Sequence, residues 1–79
     1  MAEQRINSGA NFVFPVGVVP AGAQLDNRHN VIGNVTYQIG AAPAVVIPMV
    51  PDQDYSVPGV NGQLFAVTNG LPNSLYVVY

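Results

Sequence analysis

The side chains that could do chemistry in this chain are few. His29 is the one imidazole, and it sits in the run Asp26-Asn27-Arg28-His29-Asn30. A histidine beside a carboxylate can exchange protons with a substrate. No cysteine exists for it to activate, however, and Ser8, Ser56 and Ser74 stand in no nucleophile motif. A short polar run of Asp, Asn and His is also ordinary turn composition. Asp52-Gln53-Asp54 places two carboxylates one residue apart. Calcium takes about six to eight oxygens in a sharper loop pattern, so the pair reads as a solvated loop. On one strand the two would share a face with no carboxyl opposite, which does not suit glycoside hydrolysis. Asn34-Val35-Thr36 matches a glycosylation acceptor, and no glycine-rich phosphate-cradling motif occurs. No catalytic, cofactor or metal site is expected.

Composition turns attention from chemistry to surface. The chain has 79 residues, of which 49% are hydrophobic and 8% charged. Ordinary soluble domains carry about 25% charged residues. There is no lysine, Arg5 and Arg28 are the basic side chains, and the acidic ones are Glu3, Asp26, Asp52 and Asp54. A net charge of −2 with two cations gives phosphates and anionic lipids little to bind, so neither nucleic acid nor membrane is an expected partner. A domain this small buries only roughly 60% of its unfolded surface. Disulfides are excluded by the absence of cysteine, and a structural metal by the scarcity and scatter of ligands. A partner surface, either a second copy or another protein, is left as the source of added stability. The apolar runs Phe12–Val19 and Ala41–Val50 are broken by proline and too short to cross a bilayer. The start, Met1-Ala2-Glu3-Gln4-Arg5, lacks the basic-then-apolar run of a signal peptide. Absence of cysteine fits a reducing cytosol or an assembly that survives outside the cell.

The elements that must position these residues read as strands. Seven prolines and eight glycines cut the chain into short pieces, and beyond one turn of helix near Ala23–His29 nothing supports helix. Asn11–Phe14 leads into Val16–Val19, with Pro15 marking an edge or a bulge. Val31–Ile39 alternates as a half-buried strand does. Ala44–Ile47 is continuously apolar and reads as a strand covered on both faces. Gln63–Thr68 and Ser74–Tyr79 follow, with Asn69–Asn73 between them, and together they read as a hairpin. Asn61-Gly62 and Asn69-Gly70 are turn dipeptides, and the prolines of Met49–Gly59 make that stretch an extended surface loop. The expectation is one all-β domain over 1–79, a small sandwich or open barrel of about five short strands. Residues 1–10 are expected to form a flexible or partner-docked arm.

Among the aromatics, Phe65 and Tyr76 are expected in the core. Phe12, Phe14, Tyr55 and Tyr79 are the candidate interface anchors, since aromatics carry much of an interface's energy when they enter a pocket. Tyr55, beside the acidic loop, could instead stack on a sugar. In size, low charge and its run Phe12-Val13-Phe14-Pro15-Val16-Gly17-Val18-Val19-Pro20, the chain resembles the small decoration or cement proteins of bacteriophage capsids and other minor virion proteins. That resemblance implies a virion protein made in the host cytoplasm, a homo-oligomer with a trimer favoured, bound to a major capsid or other virion protein. The alternative is a small receptor- or carbohydrate-binding tip module of a virion or fibre.

Overall fold

A computed structural model describes residues 2–79. Among them are eight strands and no helix: β1 (Glu3–Ile6), β2 (Asn11–Phe14), β3 (Ala23–Asp26), β4 (Gly33–Ile39), β5 (Val45–Met49), β6 (Asp54–Val57), β7 (Phe65–Gly70) and β8 (Leu75–Val78). All pairings are antiparallel. They make two four-stranded sheets, sheet A in the order β1-β8-β3-β6 and sheet B in the order β2-β7-β4-β5. This is the strand order of an eight-stranded jelly roll. Every connection except β4–β5 carries the chain from one sheet to the other.

The two sheets share one core. Alternation sends Ile6, Leu25, Val57, Leu75 and Val77 inward from sheet A, and Phe14, Val35, Ile47, Met49, Phe65 and Val67 inward from sheet B. Phe14 anchors an aromatic seam, with ring centroids 4.7 Å from Phe12, 5.6 Å from Phe65 and 5.1 Å from Tyr79. Offset and edge-on pairs of this kind each add about 0.5–1.5 kcal/mol beyond their area burial.

Crossing between sheets strips backbone groups of their ladder partners, and two buried asparagines supply replacements. Asn69, fully buried at the end of β7, donates through Nδ2 to the carbonyls of Ile6 (3.0 Å) and Asn73 (2.8 Å). Its Oδ1 accepts the Leu71 N–H at 2.9 Å. Asn27, just after β3, repeats the arrangement. Its Nδ2 reaches the carbonyls of Val31 (2.8 Å) and Val50 (2.9 Å), and its Oδ1 accepts from the His29 N–H at 3.2 Å. Both are Asx turns whose side-chain amide also reaches a carbonyl distant in the sequence. Gly70 follows from the same geometry: a Cβ there would collide with the Asn34 carbonyl oxygen of β4.

Several expectations are corrected. The arm over 1–10 is in large part strand β1, paired with β8 from Glu3↔Val78 to Ile6↔Leu75, while Met1 lies outside the described residues. Asp54–Val57 is strand β6, not part of a loop, and the helical turn near Ala23 is strand β3. Val16–Val19 forms turns rather than a strand. The hairpin over 63–79 does not form, because β7 and β8 lie in different sheets. Asn69 and Gly70 still pair with β4, and buried Leu71 then draws the chain across the core. Ala44–Ile47 is not covered on both faces: β5 is an edge strand with Val46 58% exposed. Asn61-Gly62 does turn, with φ of 48° and 74°, both in the left-handed region.

Asn69→Ala would leave two carbonyls and one N–H unpaired at a buried corner. The expected loss is on the order of 3 kcal/mol in chemical denaturation, whereas Asn11→Ala, on the exposed Asn11–Thr68 bond, should stay within about 0.5 kcal/mol. Equal, small losses for both would show that the corner does not depend on this side chain.

Candidate functional site

The register divides the charges unequally. Glu3 and Arg5 lie on β1, Asp26 on β3 and Asp54 on β6, all in sheet A, while Arg28 and Asp52 lie in the β3–β4 and β5–β6 loops that join the two sheets. Among the described residues, no strand of sheet B carries a charge.

On the outer face of sheet A one cross-strand row reads Arg5–Tyr76–Asp26–Asp54. Arg28 lies over it, with its guanidinium carbon 4.2 Å from the Tyr76 ring centroid, Nη2 paired with Glu3 and 3.3 Å from Asp26 Oδ2. Tyr76, expected in the core, thus faces outward and serves as the platform for Arg28. Asp26 is largely buried and its Oδ1 has no hydrogen-bond partner. Burial raises its carboxyl above the ordinary 3.8, and Asp54 directly opposite adds to the rise, while Gln24 and Arg28 oppose it. Glu3 is lowered from 4.5 by Arg28, but it is exposed and screened.

The outer face of sheet B has a different character. Its rows are Val13–Ala66–Gln38, then Asn11–Thr68–Thr36–Val46, then Gly70–Asn34–Pro48. The side chains are short or neutral. One residue beyond the strand ends, Ile32 is 68% and Val50 56% exposed, and they extend the apolar line of Val46 and Pro48 along β5. At the diagonally opposite corner, Val13 (47%) lies near Leu64 (44%), which precedes β7.

Sheet edges offer open hydrogen-bonding groups, and most of them are flanked or interrupted by charge or proline. Edge strand β1 carries Glu3 and Arg5, β6 begins at Asp54 and is followed by Pro58, β2 is stopped by Pro15, and β5 contains Pro48. Charge and proline on edge strands block strand addition.

The four expected interface aromatics do not form one exposed site. Phe14 is 1% exposed and belongs to the core, because it is an inward residue of β2 stacked on Phe65 and Tyr79. Phe12 and Tyr79 are half-buried against the same seam. Tyr55 packs against the core as the inward residue between exposed Asp54 and Ser56, with its phenol beside that of Tyr37. Burial, and then that neighbouring phenol, push Tyr37 above its ordinary value. The surface candidates missed from sequence, Ile32, Val46 and Val50, lacked any signal until the register placed them on one outer face.

His29 meets Ser74, with Nε2 and Oγ 3.3 Å apart. Among the described residues no carboxylate hydrogen-bonds the ring, and the bond ties the Asn27 corner to the Asn69 corner. A shallow apolar groove of ≈ 350 Å³ lies elsewhere, between Gly22, Gln24, Ser56, Pro58 and Tyr79. It holds neither imidazole nor charge. Among the described residues no three His, Asp or Glu side chains converge as metal ligands do.

The pH dependence of stability tests the outer row of sheet A. A carboxyl raised in the folded state contributes stability that is fully present below its ordinary value, here 3.8, and is lost as pH rises through the raised one. Asp54→Asn removes the opposing carboxylate. It should raise the denaturation midpoint at pH 7 and shrink the gain seen on acidification toward pH 4. A lower midpoint at pH 7 would mean that the Asp54 carboxylate is stabilising where it stands.

No family model, curated protein or solved structure matches this chain.

Proposed function

We propose that this chain is a viral structural protein, a capsid decoration or cementing subunit that stabilises a shell by burying surface against its neighbours. The observation that carries the reading is the segregation of charge: the strands of one sheet hold four of the six charged residues and those of the other none, and the second sheet presents a neutral outer face with exposed Ile32, Val46 and Val50. Apolar patches of this kind mark interaction sites. The jelly-roll strand order supports the reading by analogy, since viral capsid proteins use it, although lectin domains and cupins do as well. The chain's chemistry supports it too, because neither the His29–Ser74 pair nor the groove assembles a nucleophile with an oriented base. The reading as a receptor- or carbohydrate-binding tip draws less support, since the Tyr55 ring on which it depends is packed inward.

Its mechanism is burial of neutral surface, with Asn, Gln and Thr side chains bonding across the seam. The test is gradient sedimentation of lysate from cells that produce the chain, with quantitative mass spectrometry of each fraction. The chain should travel with particles, in fixed ratio to a shell protein, and Val46→Lys should release it to the top of the gradient. A chain that stays at the top without the substitution contradicts the reading.

A further inference from the structure

We infer that the outer face of sheet B is covered by a second copy of this chain, packed face to face about a two-fold axis. The inference rests on the preceding reading only in taking sheet B as the buried face. Four observations point to the second copy.

The first is charge. Two copies meeting through sheet A would bring together faces that each carry the carboxylates of Glu3, Asp26 and Asp54, which Arg5 and Arg28 offset only in part. Two copies meeting through sheet B bring together strands that carry no charge. The second is hydrogen-bonding character. The central band of Asn11, Asn34, Thr36, Gln38 and Thr68 consists of amides and hydroxyls, each both donor and acceptor, so it can bond to its own copy without mismatch.

The third is the arrangement of apolar side chains. They occupy two diagonally opposite corners, Val13 with Leu64 and Ile32 with Val46 and Val50. A two-fold axis lying in the face, either along that diagonal or across it, lays apolar corner on apolar corner and the neutral band on itself. An isologous interface needs this self-complementarity. The fourth is size. The molecule measures 32 × 26 × 18 Å, so its broad face is on the order of 800 Å², which is what each partner contributes to a standard stable interface. Charge or proline on β1, β5 and β6 disfavours the competing route, strand addition, at three of the four edges.

The chain has no cysteine, which makes single introduced thiols clean probes. Light scattering of the purified chain across a hundredfold concentration range should find a dimer. Thr36→Arg, at the centre of the face, should weaken it at least about tenfold, because the two-fold brings the two cations together in a desolvated seam. Val46→Lys, at an exposed edge position, should do the same and serves if Thr36→Arg fails to fold by circular dichroism. Ser56→Arg, on the outer face of sheet A, should leave the dimer intact. Thr36→Cys should cross-link to itself under mild oxidation and Ser56→Cys should not. A chain that is monomeric at every concentration yet sediments with particles overturns the second copy and leaves the structural reading standing. A dimer that never joins particles supports the second copy and counts against that reading. An oligomer broken by Ser56→Arg but not by Thr36→Arg or Val46→Lys places the contact on sheet A and overturns the inference.

Discussion

The fold depends on what happens to backbone polar groups where the chain leaves one sheet for the other. Six of the seven connections make that crossing, and an unpaired buried N–H or C=O costs about 1–3 kcal/mol. A chain of this size has little stability to lose. Asn27 and Asn69 meet the problem with one device: Oδ1 takes the N–H two residues on, and Nδ2 holds one nearby carbonyl and one distant one. The distant carbonyls, Val50 and Ile6, belong to neighbouring crossings, so each asparagine ties two connections at the same end of the sandwich. His29–Ser74 and the Ser8 hydroxyl bonded to the Leu71 carbonyl join these corners further. The His–Ser contact is better understood as part of this frame than as chemistry.

Because the chain changes sheet at nearly every connection, alternate segments of the sequence are dealt to opposite faces of the molecule. Strands bearing charge (Glu3–Ile6, Ala23–Asp26, Asp54–Val57) all fall in sheet A beside the uncharged Leu75–Val78, and the four strands of sheet B (Asn11–Phe14, Gly33–Ile39, Val45–Met49, Phe65–Gly70) carry none. A composition that is merely low in charge along the sequence becomes two faces of different character in space. Arg28 then neutralises part of the charged face by pairing with Glu3 and Asp26 over Tyr76, and the other face remains neutral.

The all-β class was legible in the sequence, as were the strands with several β-branched or aromatic residues: β2, β4, β5, β7 and β8. The three that were not, β1, β3 and β6, are four residues each and belong to sheet A. Their outward positions hold Glu3, Arg5, Gln24, Asp26, Asp54 and Ser56, so only two positions in each remain to show alternation, too few for the period to stand out. The false hairpin has a related cause. Asn69-Gly70 has the composition of a turn, yet the asparagine serves a buried corner and the glycine a close approach to β4. Local residue type cannot distinguish a strand that folds back beside its neighbour from one that crosses the core. The surface was least legible, because Ile32, Val46 and Val50 become one patch only through the β4–β5 register.

In the proposed assembly the neutral outer face of sheet B is buried while the charged face of sheet A stays in water. Hydroxyl-radical footprinting of the chain, diluted and assembled, tests this directly. Assembly should protect Ile32, Val46 and Val13 and leave Tyr76 and Val78 as reactive as before. Protection of Tyr76 and Val78, with Ile32 and Val46 still reactive, would contradict it.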